Sequence, residues 1–130
     1  MPDSTVLVVD DDPVILKLLE VNFEMEGFTV RLAHDGAEGI DVARSERPDI
    51  IVSDIMMPGK SGLELVSELK SDPSTSDIPI ILLSAKAQNA DVRSGMDAGA
   101  DDYITKPFEP LDLVDRVNRL LSSQASKRSS

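Results

Sequence analysis

The side chains with chemistry to offer in this 130-residue chain are carboxylates, one lysine and one serine, and each follows a short apolar run. Asp10 and Asp11 come after Val6–Val9, Asp54 after Ile50–Val52, and Ser84 after Ile78–Leu83; Lys106, itself followed by Pro107, comes after a weaker run around Tyr103 and Ile104. Three gathered carboxylates repel one another unless a cation or protonation relieves them. The chain has no cysteine and a single histidine, His34, which excludes a thiol nucleophile, a disulfide framework and a multi-histidine or Cys-based zinc site. An all-oxygen set points to magnesium, which takes one or two carboxylates, keeps several waters and accepts a phosphate oxygen. A carboxylate beside a phosphoryl donor is also a nucleophile that yields an aspartyl phosphate. Lys106 would then offset the phosphoryl charge as a compact cation.

These groups act together only if they share one edge of a sheet. The runs at Val6–Val9, Ile50–Val52 and Ile78–Leu83 are apolar on consecutive residues, the habit of parallel strands covered on both faces. Phe28–Ala33 and the run at Tyr103 are more mixed and suit sheet edges. Between them lie segments of helical period. Asp12 with Pro13 predicts an N-cap and first helical residue, with Ile15, Leu16, Leu19 and Phe23 as the buried stripe and Gly27 as the stop. Asp35 with Glu38 and Ser61 with Glu64 have capping-box spacing, opening helices that end near Ser45 and Lys70. A fourth helix spans roughly Ala90–Ala98 and stops at Gly99; a fifth starts near Pro110, burying Leu113, Val114, Val117, Leu120 and Leu121. Five strand–helix repeats with short connections predict an α/β, doubly wound parallel sheet with helices on both faces. Ligands of such sheets bind beyond the carboxyl ends of the strands, where all five polar groups fall.

The length suits one domain. A formal charge of −11, which becomes −13 without Lys127 and Arg128 of the terminal SSQASKRSS, argues against direct nucleic-acid or anionic-membrane binding. The N-terminus has no basic stretch before its apolar run, and no run approaches the about 18 residues of a membrane span, so a cytoplasmic protein is expected.

Four strings, VLVVDDD, SDIMMPGKSG, LLSAK and DDYITKPF, occur in order on successive strand ends, and from about Thr5 to Leu121 the chain resembles the receiver domain of two-component response regulators. The resemblance implies a flavodoxin-like sheet of order 2-1-3-4-5, with a receiver domain over 1–121 and a polar tail or linker over 122–130. It implies that Asp54 is the phosphoacceptor, that Asp11 ligates Mg2+ directly and Asp10 chiefly through water, and that the Met56 backbone carbonyl is a further ligand. Ser84 would hydrogen-bond one phosphoryl oxygen and Lys106 pair with another; Tyr103 would follow the phosphorylation state; the Lys106–Pro107 peptide would be cis. Such a domain catalyses only its own phosphorylation and slow dephosphorylation. Its partners would be a histidine kinase or histidine phosphotransfer protein, and an output domain or effector reached through the fourth helix, fifth strand and fifth helix. Asp97, Asp101, Asp102, Arg116 and Arg119 resemble the mixed-charge dimer face of receivers joined to winged-helix transcription factors, with Val92 where a basic residue is usual; a phosphorylation-dependent homodimer follows from that likeness. Met56 and Lys86 would flank the path by which water attacks the phosphoryl group.

Plainer readings stand beside these. Asp12 is a helix cap and not a metal ligand, because Pro13 follows it. Ser84 or Tyr103 taken alone would be a strand-end serine and half-buried packing. Asp101 and Asp102 taken singly would be solvated acids, His34 a surface residue, and Met56 and Met57 turn packing. An alternative function, a haloacid-dehalogenase-like phosphatase, needs an Asp-x-Asp after the first strand, which Asp10 and Asp12 satisfy in form. Its apolar and threonine signature is missing, and the chain leaves no room for a cap domain.

Overall fold

All five apolar runs are strands in the computed structural model, which describes residues 4–85 and 89–129. In chain order the elements are β1 (Thr5–Val9), α1 (Pro13–Met25), β2 (Thr29–Ala33), α2 (Gly36–Glu46) and β3 (Ile50–Asp54). They continue with α3 (Gly62–Ser71), β4 (Ile80–Ser84), α4 (Asn89–Ala98), β5 (Asp102–Thr105) and α5 (Pro110–Ser129). The sheet is wholly parallel with order β2-β1-β3-β4-β5, so the mixed runs are its edges.

The consecutive apolar residues of β1, β3 and β4 serve two cores because successive side chains point to opposite faces. Val6, Val8, Val52, Ile81 and Leu83 pack with Leu16, Leu19 and Phe23 of α1 and Leu113, Val114 and Val117 of α5. Leu7, Val9, Ile51, Ile80 and Leu82 pack with Ile40 and Ala43 of α2 and Leu65, Val66 and Leu69 of α3. Buried on both sides, the three central strands hold their carboxyl ends rigidly.

Helix signals read from the sequence act as expected at α1 and α3. The Asp12 carboxylate accepts the Val14 N–H at 2.9 Å, and Ser61 and Glu64 form the reciprocal box. At α2 the box is only half made. Asp35 caps Glu38 N–H, but the Glu38 carboxylate turns to the His34 N–H and ring, at 2.5 and 3.0 Å, where it meets a second donor on the same residue. His34 is exposed, as expected of a surface residue. β4 begins at Ile80 and not Ile78, because Pro79 has no N–H and Ile78 closes the preceding turn on Thr75.

α5 continues as far as Ser129, into the segment read as a polar tail or linker. Leu121 ends the buried stripe but not the helix. No glycine or proline follows to stop it.

Candidate functional site

In the order β2-β1-β3 the chain leaves β1 in one direction and returns to the other side at β3, which opens a crevice above the carboxyl ends of those two strands. Asp10 extends β1, its N–H donating to the Ala33 carbonyl at 3.1 Å. Asp54 closes β3, and the next N–H, that of Ile55, donates to Leu83 at 3.1 Å. One carboxylate oxygen from each of Asp10, Asp11 and Asp54 lies within 4.8 Å of the other two. Asp12, one residue on, is turned away as the helix cap. The alternating Asp-x-Asp of a phosphatase is therefore not presented as a pair.

Lys106 reaches this cluster from the far side of the sheet. Its Nζ stands 3.3 Å from Asp54 Oδ1 and 3.4 Å from Asp10 Oδ2. Its backbone N–H donates to the Ser84 carbonyl at 2.7 Å, which ties the start of the β5–α5 loop to the end of β4. The Lys106–Pro107 peptide is cis. Ser84 is fully buried at the end of β4, in register with Thr105. The structure thus brings Asp10, Asp11, Asp54, Ser84 and Lys106 to one edge.

Burial governs the electrostatics. Asp10 and Asp54 are 1% and 6% exposed. Loss of water pushes the Asp10 carboxyl above the ordinary carboxylate range, and the charge of Asp54 adds to the rise; the Asp12 N–H and Lys106 oppose it. Asp54 is raised in the same way by burial, with Asp11 adding and Lys106 opposing. One lysine does not neutralise the site, and a hard divalent cation fits three converging carboxylates better than any other ligand class.

After Asp54 the chain turns through Met56 and Met57. Met56 is exposed at the rim, whereas Met57 packs into the α2–α3 core, so only Met57 is turn packing. Lys86 lies outside the described residues. Tyr103 is 9% exposed and walls a cavity of about 510 Å³ that also touches Ile55, Met57 and Ser84.

Asp101 is exposed and Asp102 half-buried, so both meet solvent as the plainer reading has it, but each is also engaged by protein groups. Asp101 Oδ2 accepts the Ile80 N–H at 2.8 Å and Lys70 at 3.1 Å, joining β4, α3 and the approach to β5. Asp102 takes Arg116 on both oxygens at 3.2 Å. Partners so distant in sequence carry no local spacing signal. The glycines are a second omission: a side chain at Gly62 would run into the backbone carbonyl of Asp54, so α3 sits directly on the strand end that carries the carboxylate. A third was legible as spacing. Val14, Leu18, Val21 and Met25 form an exposed apolar stripe on α1 beside the buried one.

The comparisons with known proteins agree with this geometry. Residues 6–118 match the response regulator receiver domain. The chain is 43% identical over 121 residues to the phosphate regulon transcriptional regulatory protein PhoB of Pseudomonas aeruginosa, covering 93% of this chain and 53% of that protein. It is 42% identical over 116 residues to the DNA-binding dual master transcriptional regulator RpaA of Synechocystis, covering 89% of this chain and 48% of that one. The chain therefore spans about half the length of these curated relatives. A CheY-like response regulator receiver domain protein from Methanospirillum hungatei superposes with a TM-score of 0.89 at 29% identity, over 95% of this chain and 98% of that one. Chemotaxis protein CheY4 of Vibrio cholerae gives 0.84 at 30% identity, over 89% and 97%. With the sheet order, the acidic crevice and the reach of Lys106 already in place, these likenesses make the chain a member of the response regulator receiver domain family.

Proposed function

We propose that Asp54 is the phosphoacceptor of a two-component switch, with Mg2+ held by Asp10, Asp11, Asp54 and the Met56 backbone carbonyl. The observation that carries the reading is the convergence of Lys106 on Asp54 and Asp10 within an all-oxygen acidic cluster. Bound there, magnesium would supply charge neutralisation for the incoming phosphoryl oxygens. An Asp54 carboxylate oxygen forms the new bond to phosphorus as the donor's histidine nitrogen–phosphorus bond breaks, and the nitrogen leaves with the electron pair and is then protonated. Lys106 pairs with one phosphoryl oxygen and the Ser84 hydroxyl donates to another. The domain catalyses no reaction but this one and the slow hydrolysis of its product.

The new oxygens draw Ser84 and Lys106 inward, and Tyr103, sharing a cavity wall with Ser84, responds. Inverting a 1:99 population takes about 5.5 kcal/mol, within reach of several charge-assisted hydrogen bonds. The face read by an output domain, an effector or a second copy is α4, β5 and α5. A homodimer through that face has to reckon with Arg116 and Arg119, which are already paired to Asp102 and Asp115 within the chain. The phosphodonor, a histidine kinase or phosphotransfer protein, docks on α1, where the apolar stripe runs toward a hollow formed by Ile15, Leu18, Pro107 and Phe108 next to Lys106. Residues 1–121 constitute the receiver, and 122–130 a polar tail or linker. No described helix is long and apolar enough to cross a membrane, and a cytoplasmic location fits this role.

The test is incubation with acetyl phosphate and Mg2+. Intact mass should rise by one phosphoryl group, and borohydride reduction followed by peptide mapping should place it on Asp54. Incorporation elsewhere, or none, overturns the assignment.

Phosphate lifetime follows from the rim. Met56 is apolar and exposed there, so it cannot orient an attacking water. Lys86 occupies, in sequence, the position two residues after Ser84 that in receiver domains flanks the same path. Replacing Met56→Asn together with Lys86→Glu should speed phosphate loss by about one decade, equivalent to roughly 1–2 kcal/mol of barrier. Radiolabel decay measures it, and an unchanged or slower loss shows that these side chains do not shield the bond.

A further inference from the structure

Gly95 lies within the last turn of α4, three residues before its end at Ala98, and glycine weakens a helix relative to alanine. Its backbone does not require glycine: positive φ is found at Gly27, Gly59 and Gly99, and not at Gly95. What the residue supplies is space. A Cβ at position 95 would stand 2.9 Å from Tyr103 Cδ2, 3.2 Å from Tyr103 Cε2 and 3.1 Å from Leu82 Cδ1. Carbon atoms pack at about 3.5–4.0 Å, so the aromatic ring rests against bare helix backbone. The ring has somewhere else to go. Tyr103 also walls a second, outer hollow of about 340 Å³, bounded by Val92, Phe108 and Arg116.

We infer that Gly95 is the positioning residue of the Tyr103 switch: the missing side chain is the seat that lets the ring lie inward, and any Cβ there drives it toward the outer hollow. The geometry stands by itself. Its consequence at Asp54 rests on the phosphoacceptor reading given above. If phosphorylation favours the inward ring, then by linkage a residue that expels the ring weakens the phosphoryl state by the same factor. The choice of glycine sacrifices helix stability in α4 and keeps both ring positions accessible.

Tyr103 is the single tyrosine of a chain without tryptophan, so tyrosine emission reports on it alone. Acrylamide quenching of the full chain, with no phosphoryl mimic present, should rise at least about twofold in Gly95→Ala as the ring moves out. Unchanged quenching overturns the proposal. Should the single variant not fold, Gly95→Ala in a Leu82→Val background removes the second close contact and leaves the ring as the obstacle.

Beryllofluoride affinity in Mg2+ then tests the coupling by a double-mutant cycle. Gly95→Ala should weaken binding about threefold or more when Tyr103 is present and have little effect in Tyr103→Ala. Equal weakening in both backgrounds would mark a general helix effect and overturn the proposal. Failure of wild type to bind beryllofluoride would instead sink the phosphoacceptor reading, while the quenching comparison still decides the role of Gly95.

Discussion

Asp54→Asn protein should gain no phosphoryl group from acetyl phosphate, with incorporation at least about two decades below wild type, a barrier difference of roughly 2.7 kcal/mol or more. The amide keeps the size and hydrogen-bonding oxygen of the carboxylate but not its anionic nucleophile. Lys106→Ala should slow incorporation by about 10- to 100-fold, since it removes one cation aimed at developing charge and leaves the nucleophile in place. The two variants should move stability in opposite directions at neutral pH without Mg2+. Asp54→Asn relieves one of two buried carboxylates held above their ordinary range and should stabilise. Lys106→Ala strips the counter-charge that stands within 3.4 Å of both and should destabilise by about 1–2 kcal/mol, after a discount for the partial exposure of the lysine. Intact mass over time and urea unfolding measure the two effects. Undiminished incorporation in Asp54→Asn would place the acceptor elsewhere.

Asp11→Ala should weaken Mg2+ binding at least about tenfold, or roughly 1.4 kcal/mol, because a small divalent ion needs anionic first ligands. Asp12→Ala should leave binding intact and cost about 1 kcal/mol of stability, since its carboxylate holds the Val14 N–H. The pH dependence has a definite sign. Asp10 and Asp54 have folded-state pKa values above their unfolded ones, so the stability they contribute is present below the ordinary carboxylate range and is lost as pH rises through the raised values. At neutral pH the apo site therefore carries a cost that a cation removes. Added Mg2+ should raise the melting temperature more at pH 7 than at pH 4.5, where protons compete for the same oxygens. Titration calorimetry on both variants and melting curves at both pH values test this. A loss of Mg2+ binding in Asp12→Ala with retention in Asp11→Ala would shift the ligand assignment by one residue.

Much of this was legible along the chain. Apolar runs on consecutive residues imply strands covered on both faces, and β1, β3 and β4 are buried throughout or nearly so. Asp12 before Pro13 and Ser61 before Glu64 place helix starts to the residue, because capping is a contact between near neighbours. Chemistry-bearing residues at strand ends were readable for a related reason. In a parallel sheet all carboxyl ends share one edge, so an order of elements already implies a gathering of their last residues.

Local patterning determined the elements, the edge at which the site lies and the types of group it contains; tertiary packing decided the distances, the direction of the pKa shifts and the pairings. Lys106 lies 96 residues from the Asp10 carboxylate it meets, and no spacing rule relates two such positions. The raised pKa values of Asp10 and Asp54 come from water excluded by the assembled sheet, which no single strand excludes. Asp101 and Asp102 are ordinary acids in sequence and become fixed acceptors only when α3 and α5 bring Lys70 and Arg116 to them. Gly95 carries no sign of its use until β5 lays the ring of Tyr103 against it. A periodicity of 2 or 3.6 residues specifies which side of an element is apolar, whereas contact between elements depends on how several such sides close together in three dimensions.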